Sequence, residues 1–205
     1  MCGYWRIKKI RMNMSVVSIF PEKAETERLY LRSYRSGDGP MLFAAGIRNR
    51  NHLAEFQSGN FLRRLESEEH AETIARKLES AWKAGNSFAI GVFERATDEW
   101  VGQVSVAQTN LVLPEFVIGH AADINHEGKG YISETVNGIL RTLFQDMGAH
   151  RVKSDCKDNN ARSWRLLERC GFRREGHLRE NKRSPDGSLH GDFLYGLLRR
   201  EFEER

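Results

Sequence analysis

The chain has 205 residues, of which 40% are hydrophobic and 29% are charged, a balance typical of a globular domain and not of a disordered or fibrous protein. The formal net charge of +4 allows an acidic partner but is small for this length. Three widely spaced cysteines, Cys2, Cys156 and Cys170, include no C-x-x-C pair, so they predict neither a zinc knuckle nor a dithiol redox site and fit a reducing compartment.

The length favours one domain preceded by a short extension. We expect residues 1–24 to be an N-terminal extension, either disordered or upstream of the true start, and residues 25–205 to form the single domain. No apolar run approaches the roughly 20 residues of a membrane span. The basic N-terminus also lacks the apolar core of a signal peptide. A cytoplasmic protein without a membrane partner is therefore expected.

The first elements in chain order are a strand and two helices. Residues 28–34 alternate apolar and polar side chains, which predicts a strand. A helical pattern starts at Met41 and reaches Ile47, whereas residues 48–65 show no clear period. Residues 66–84 are predicted to form a charged helix with Ser67 at its N-cap, because acidic residues follow in the first turn.

From residue 88 onwards, apolar side chains recur at every second position. Residues 88–92 and 100–106 alternate around a short polar turn and predict an antiparallel hairpin. Residues 115–120 predict a third strand. Gly119 within that strand indicates either a bulge or a close backbone approach.

A regular amphipathic helix follows the turn Gly128-Lys129-Gly130. Apolar residues recur at helical spacing from Ile132 to Met147, and Gly148 stands where a C-terminal cap glycine belongs. Residues 151–157 then predict a strand. Strand, glycine turn, helix and strand together indicate a crossover between two parallel strands.

The last elements are a short helix and two strands. Asn159 or Asn160 is predicted to cap the helix, which ends at Gly171. Residues 172–181 and 189–197 are predicted to be the final strands. The whole order indicates a mixed α/β (α+β) sheet with helices on its faces.

The segment Asn125 to Gly130, NHEGKG, places two glycines at the start of a helix. Free amides and the helix dipole favour an anion there, and glycines let a phosphate approach the backbone. The pattern is too short for the dinucleotide fingerprint and lacks the P-loop sequence. Taken alone, it fits either a phosphate site or a tight strand-to-helix turn.

A second motif, Asn160-x-x-Ser163, lies about 30 residues downstream. In the predicted crossover it would lie beside the glycine turn at the carboxyl ends of the parallel strands, where open α/β sheets bind ligands. Asn160 also fits a simple helix cap, and Ser163 fits an ordinary helix-surface residue.

The linked segments NHEGKGYISETV, RVKSDCKDNNARSWRLLERCGF and EGHLRE resemble the Gcn5-related N-acetyltransferase (GNAT) superfamily. Within it, they resemble the RimJ/RimL-type ribosomal-protein N-terminal acetyltransferases, and the likeness is clearest after Val117. The resemblance implies a mostly antiparallel central sheet with helices on both faces and a βαβ acetyl-CoA-binding core. It implies an acetyl-CoA-dependent N-acetyltransferase in which acetyl-CoA is the cosubstrate and no metal takes part.

The same resemblance implies roles for individual residues. Asn160 would contact the pantetheine amides of acetyl-CoA, and Ser163 would stand near the thioester sulfur as the general acid. The backbone between residues 122 and 131 would hold the pantetheine arm and the pyrophosphate. The residues so assigned are Ala122, Asp123, Ile124, His126, Glu127, Gly128, Lys129, Gly130 and Tyr131.

The general base is less well defined. Many relatives have an acidic residue at the position of Val117, so this chain needs another group to take the proton of the amine. Glu115, Glu55 and His120 are the alternatives. A backbone N–H near His120 could stabilise the oxyanion.

The predicted acceptor is a primary amine, above all the N-terminal α-amine of a protein. The alternatives are a small amine (an antibiotic, a polyamine or an amino acid derivative) and a non-catalytic acyl-CoA- or RNA-binding module. Arg48, Arg50, Arg63 and Arg64 disfavour a polycation. Histidine spacing predicts no metal site, and the basic segment 173–183 fits a solvated strand better than a nucleic-acid surface. A homodimer is common among such proteins.

Overall fold

The computed structural model describes residues 20–85 and 87–204, so that most of the predicted extension lies outside the described residues. Within these residues there are eight strands. They are β1 (Lys23–Glu25), β2 (Leu29–Ser33), β3 (Phe88–Glu94), β4 (Trp100–Asn110), β5 (Glu115–Ala122), β6 (Arg151–Lys157), β7 (Arg173–Arg183) and β8 (Leu189–Leu198). They form one sheet in the order β1-β2-β3-β4-β5-β6-β8-β7.

Four of the five described α-helices connect strands, and the fifth follows β8. They are α1 (Gly39–Phe56), α2 (Glu68–Lys83), α3 (Tyr131–Arg141), α4 (Ala161–Arg169) and α5 (Arg199–Glu203), and a π-helical turn (Thr142–Asp146) extends α3. Among the described strands, β5 and β6 pair in parallel and every other neighbouring pair is antiparallel. The predicted mixed, mostly antiparallel sheet with a parallel crossover is confirmed.

Each face of the sheet carries its own hydrophobic core. On one face, α3 and α4 pack on the sheet through side chains such as Val136 and Leu167. On the other face, α1 and α2 pack through Leu42, Leu53 and Ala75. Because strand side chains alternate between faces, β2 contributes to both cores, and the predicted helices on both faces are present.

The packed domain includes residues that the sequence assigned to the extension. Phe20 is fully buried, and its ring lies 5.8 Å from that of Trp82 and 5.3 Å from that of Phe88, measured between centroids. Ala24 is buried within β1. Packing therefore begins upstream of the expected boundary at residue 25.

Helix α1 continues past Ile47 into the segment without a clear period and runs to Phe56. Asn49 in this stretch is buried, and its side-chain amide donates to Ala45 O at 2.9 Å and to Asp123 Oδ1 at 2.7 Å. A polar residue thus occupies an inward position of the helix. This hides the apolar period on which the sequence interpretation depended.

The bulge predicted at Gly119 is absent from the described ladder. The register between β4 and β5 is continuous from Gly102↔Ala122 past Ser105↔Gly119, and its shift lies at Gln108 instead. A Cβ on Gly119 would lie 2.8 Å from Ser105 Oγ. Gly119 is therefore explained by a close approach, although to a side chain and not to backbone.

The predicted helix caps are present. Ser67 Oγ accepts from His70 N at 3.1 Å, which caps α2. Asn160, rather than Asn159, caps α4, because its side chain accepts from Ser163 N at 3.2 Å. Each bond satisfies one of the amides that a helix N-terminus leaves without an intrahelical partner.

Candidate active site

Strands β5 and β6 pair along only part of their length. The parallel register joins Glu115–Val117 to three residues of β6 and stops there, although both strands continue. Ser154 Oγ donates to the carbonyl of Ile118 at 3.0 Å and bridges the point of separation. Beyond it lies a gap in the middle of the sheet, which exposes backbone groups that a ladder would otherwise use.

Two cavities meet at this gap. The first, here called the glycine-loop cavity, measures about 350 Å³ and lies at the N-terminus of α3. The second, here called the hairpin cavity, measures about 480 Å³ and lies between the end of α1 and the β7–β8 hairpin. The residues that line both are Gln57, His120, Ala121, Asn160 and Ser163.

The glycine-loop cavity contains a turn that requires glycine. Gly128 has φ 77° and Gly130 has φ 80°, values in the left-handed region that side chains rarely adopt. No atom lies within 4 Å of a Cβ placed on Gly128. The loop therefore leaves room for a ligand against the first amides of α3, where the helix dipole favours an anion.

Positive side chains surround the same cavity. Arg162, Arg165 and Arg169 lie on one side of α4 and line it. Arg162 forms an ion pair with Glu127, whose carboxylate also lies 3.4 Å from His52 Nε2. The cavity is thus suited to a ligand that carries several phosphate groups.

Most of the residues assigned to cofactor binding line this cavity. They are Ala122, His126, Glu127, Gly128, Gly130, Tyr131, Asn160 and Ser163. Lys129 is not among the lining residues, and its carbonyl accepts a hydrogen bond from Arg28 Nη1 at 3.0 Å.

Asp123 and Ile124 have backbone amides that are bonded inside the protein. Asp123 N donates to Val101 O at 3.0 Å, and Ile124 N donates to Asn49 Oδ1 at 2.8 Å. Neither amide is free to hold a pantetheine arm. Because both N–H groups are already used inside the protein, only the carbonyls of these two residues could take part in backbone binding, and their assignment stays a prediction.

Asp123 instead ties α1 to the glycine loop. Its buried carboxylate accepts from Arg48 Nε at 2.8 Å and from Asn49, and it lies 2.9 Å from His126 Nδ1. Burial alone would raise the pKa of Asp123, but these hydrogen bonds outweigh it, so the pKa is lowered. The ionised carboxylate thereby fixes the loop that precedes α3.

Ser163 and His120 are in contact where the two cavities meet. Ser163 Oγ lies 3.0 Å from His120 Nε2. The Asn160 cap fixes the first turn of α4, on which Ser163 stands, and His120 stands on the part of β5 that pairs with β4 but no longer with β6. A hydroxyl at this junction can reach a group held in either cavity.

His120 is uncharged at neutral pH. Burial lowers the pKa of its imidazole to about 4, because desolvation disfavours the charged form. Nδ1 is buried and has no hydrogen-bond partner among the described residues. A neutral ring can donate to Ser163 through Nε2–H or accept through Nε2, depending on its tautomer.

The backbone of His120 faces the gap. The side-chain amide of Gln57 donates to the His120 carbonyl, and Ser154 donates to the Ile118 carbonyl, so both carbonyls point away from β4. In an antiparallel ladder the N–H and C=O of one residue point to the same side. The His120 N–H therefore points into the gap as well, beyond the last paired residue, Val117.

Glu115 does not fit the role of general base. It lines neither cavity and lies five positions before His120 on the strand, roughly 17 Å away at the usual rise. Its carboxylate accepts from Lys153 Nζ at 2.7 Å and lies 3.4 Å from Arg151 Nε. The hydrogen bond from Lys153 is the main cause that lowers its pKa. Its distance from His120 and its two cationic neighbours on β6 therefore disfavour Glu115 as the base.

Glu55 lies in the hairpin cavity but is already neutralised. Its carboxylate accepts from Lys157 Nζ at 2.6 Å and from Ser184 Oγ at 3.0 Å. The hydrogen bond from Lys157 is the main cause that lowers the pKa of Glu55. An ionised carboxylate in this arrangement holds α1 against β6 and is a weak proton acceptor.

Sequence reasoning missed three charged residues of the hairpin cavity. Asp155, Lys157 and Asp192 line it, and Lys157 and Asp192 are buried. Asp155 and Lys157 lie on β6 two positions apart, which is a signal that both project to one face of the sheet. Which face that is depends on how β6 pairs with β8.

The four arginines that disfavoured a polycationic acceptor are not part of the site. Arg48, Arg50, Arg63 and Arg64 line neither cavity. Arg48 is bound to Asp123, and Arg50 donates to the Leu65 carbonyl at 3.1 Å. Their charge therefore gives no reason to exclude a cationic acceptor.

Two further properties concern the described part of the chain. No helix there is long and apolar enough to cross a membrane. No group of three or more His, Cys, Asp or Glu side chains among residues 20–85 and 87–204 is placed to hold a metal ion.

Comparison with known proteins gives the family. The sequence model of the acetyltransferase (GNAT) domain matches residues 28–173. The chain therefore belongs to the GNAT acetyltransferase family and is an N-acetyltransferase. Enzymes of this family use acetyl-CoA.

Individual relatives agree with this assignment. The chain is 28% identical over 178 residues to the uncharacterized N-acetyltransferase YnaD of Bacillus subtilis, covering 86% of this chain and 97% of that protein. It is 28% identical over 101 residues to the [ribosomal protein uS5]-alanine N-acetyltransferase of Escherichia coli, covering 48% of this chain and 51% of that protein.

A solved structure shows the same fold. The ribosomal L7/L12 alpha-N-protein acetyltransferase RimL, in complex with coenzyme A, superposes with a TM-score of 0.75 at 18% identity. The match covers 84% of this chain and 95% of RimL.

Proposed function

We propose that the chain transfers the acetyl group of acetyl-CoA directly to the N-terminal α-amine of a protein. The observation that carries the proposal is the contact of Ser163 with His120 at 3.0 Å, where two cavities meet. One cavity suits the phosphates of a nucleotide-like donor, and the other is open to an acceptor. The uS5-alanine and L7/L12 acetyltransferases among the relatives supply the acceptor class.

The donor would bind in the glycine-loop cavity. The first amides of α3, reached through Gly128 and Gly130, would hold the pyrophosphate. The backbone of Ala122, on the unpaired side of β5, would bond the pantetheine arm, with Asn160 beside it. The amides of Asp123 and Ile124 are bonded inside the protein and would not donate to this arm.

Two groups would act on the reacting atoms. As the amine attacks the thioester carbonyl, the negative charge on oxygen would be stabilised by the His120 N–H that points into the gap. As the carbon–sulfur bond breaks, Ser163 Oγ–H would donate to the leaving sulfur. His120 would be a positioning residue for that hydroxyl: with its proton on Nε2, the neutral ring donates to Ser163 Oγ and leaves the hydroxyl proton for the sulfur.

The amine must lose a proton before or during attack, and Glu115 and Glu55 are unsuitable for the reasons given above. The proton would leave through the hairpin cavity, where water and the remaining carboxylates can take it. A covalent enzyme intermediate is not required, because direct attack of the amine on the thioester forms the amide and releases coenzyme A as the thiol.

The test is an acetylation assay with peptide acceptors and mass spectrometry. We expect a decapeptide with a free N-terminal alanine to gain one acetyl group at its α-amine. A matched peptide with a blocked N-terminus and an internal lysine should stay unmodified. Acetylation of the lysine peptide, or of small amines far faster than of either peptide, would contradict the proposed acceptor class.

A further inference from the structure

The hairpin cavity is lined by three acidic and three basic residues, and among the described residues only Lys157 and Lys182 of the three basic ones form an ion pair with a carboxylate of the cavity. The six residues are Glu55, Asp155, Lys157, Lys182, Arg183 and Asp192. Glu55 and Lys157 neutralise each other at 2.6 Å. Arg183 Nη1 donates to the carbonyl of Gly187 at 2.8 Å, within the turn of the hairpin.

Three of these charged groups remain, and they stand close together. Lys182 Nζ lies 3.3 Å from Asp192 Oδ2, and Asp155 interacts electrostatically with both residues. Two carboxylates thus share one ammonium group. A second ammonium would balance the charge of this part of the cavity.

Asp192 is the buried member of the pair. It is 3% exposed, and its Oδ2 accepts from Lys182 and from the side chain of Asn181. Its Oδ1 is buried and has no hydrogen-bond partner among the described residues. A buried carboxylate that is only half satisfied is costly, and its field favours a cation in the cavity beside it.

Asp155 is the member that an acceptor can touch. Its side chain is exposed within the cavity, and its carboxylate makes no hydrogen bond or ion pair to any residue that the structure describes. The cavity walls raise its pKa by desolvation, and the charge of Asp192 raises it further. Asp155 lines the same cavity as His120 and Ser163, the residues at which the two cavities meet.

We propose that Asp155, supported by the buried charge of Asp192, binds the ammonium group of the acceptor amine in the hairpin cavity. This inference rests on the proposed function, because it identifies that cavity as the acceptor side. The acceptor amine would therefore bind in its protonated, cationic form. Unlike Glu115 and Glu55, Asp155 has no ion-pair partner among the described residues and is free to contact the acceptor.

The test compares two probes of equal shape that differ in charge. Binding of n-pentylammonium and of 1-pentanol is followed at neutral pH by chemical-shift changes of residues that line the hairpin cavity. For the wild-type protein we expect pentylammonium to bind about tenfold more tightly than pentanol or better. Asp155→Asn should abolish that difference, and Asp192→Asn should reduce it.

Asp146→Asn is the matched control. Burial also raises the pKa of Asp146, but this residue lines neither cavity, so its variant should keep the wild-type preference. Because Asp155 is exposed, its variant should fold even if Asp192→Asn does not. Equal affinities of wild type for the two probes, or an unchanged preference in Asp155→Asn, would overturn the proposal.

Failure of this inference can be separated from failure of the proposed function. Calorimetric binding of coenzyme A is measured on the same samples. Coenzyme A binding without a preference for the ammonium probe would refute only the role of Asp155. A preference for the ammonium probe without coenzyme A binding would refute the acetyl transfer while leaving the cation site in place.

Discussion

Ser163 Oγ lies 3.0 Å from Nε2 of His120, which connects the N-terminal turn of α4 with the part of β5 that does not pair with β6. The two residues are 43 positions apart in the sequence, and the gap between β5 and β6 makes their contact possible. A hydroxyl fixed in this way is placed to donate to the leaving sulfur as the carbon–sulfur bond breaks. The backbone N–H of His120 on β5 is placed to stabilise the negative charge that forms on the carbonyl oxygen.

Ser163→Ala should lower turnover more than it weakens donor binding. If the hydroxyl protonates the leaving sulfur, kcat should fall about 100-fold, while the affinity for coenzyme A should stay within about twofold. Steady-state kinetics and calorimetry measure the two quantities. Ser80→Ala, on the exposed face of α2, is the control, and unchanged turnover in Ser163→Ala would remove the proposed role.

His120 should make the protein sensitive to mild acid. Its pKa of about 4 in the folded state lies below its ordinary value of 6.5, so between these values the unfolded chain binds the proton and the folded chain does not. Stability is therefore complete above pH 6.5 and decreases as the pH falls towards 4, by up to about 3 kcal/mol.

The comparison of wild type with His120→Gln isolates this effect from that of the carboxylates. Urea unfolding at pH 7 and at pH 4.5 should show a smaller loss of stability in the variant than in the wild type. Equal losses would mean that the imidazole is accessible to protons in the folded state.

Lys157 should contribute to stability rather than to chemistry. Its buried ammonium donates to the Glu55 carbonyl at 3.0 Å, to the Glu55 carboxylate at 2.6 Å and to Ser184. Lys157→Met leaves these acceptors without a donor and should cost about 2–3 kcal/mol of unfolding free energy. Lys83→Met, at an exposed ion pair of α2, should leave stability nearly unchanged.

Local patterns predicted two structural features of the candidate site. The glycine turn before α3 and the Asn160 cap of α4 depend on neighbours within a few residues, so the sequence alone indicates them. The parallel crossover also follows from the order of elements. The contact of Ser163 with His120 could not be predicted in the same way, because it depends on where the ladder between β5 and β6 stops.

Long-range charge pairing accounts for the failures. Glu115 was a plausible base until the register placed Lys153 and Arg151 beside it, and Glu55 is neutralised by Lys157, 102 positions away. Asp155 was overlooked for the opposite reason. Nothing in the sequence shows that this carboxylate is left without a partner when its neighbours find theirs.

The central claim is that acetyl-CoA binds at the glycine turn, and calorimetry on two glycine variants tests it most directly. Gly128 and Gly148 both have positive φ angles, 77° and 72°, and open space where a Cβ would point, but Gly128 alone of the two lines the glycine-loop cavity. Both variants to valine therefore carry similar backbone strain. We expect wild type and Gly148→Val to bind acetyl-CoA with micromolar affinity and Gly128→Val to lose binding. Wild-type affinity in a folded Gly128→Val, or no binding by the wild type, would contradict the account.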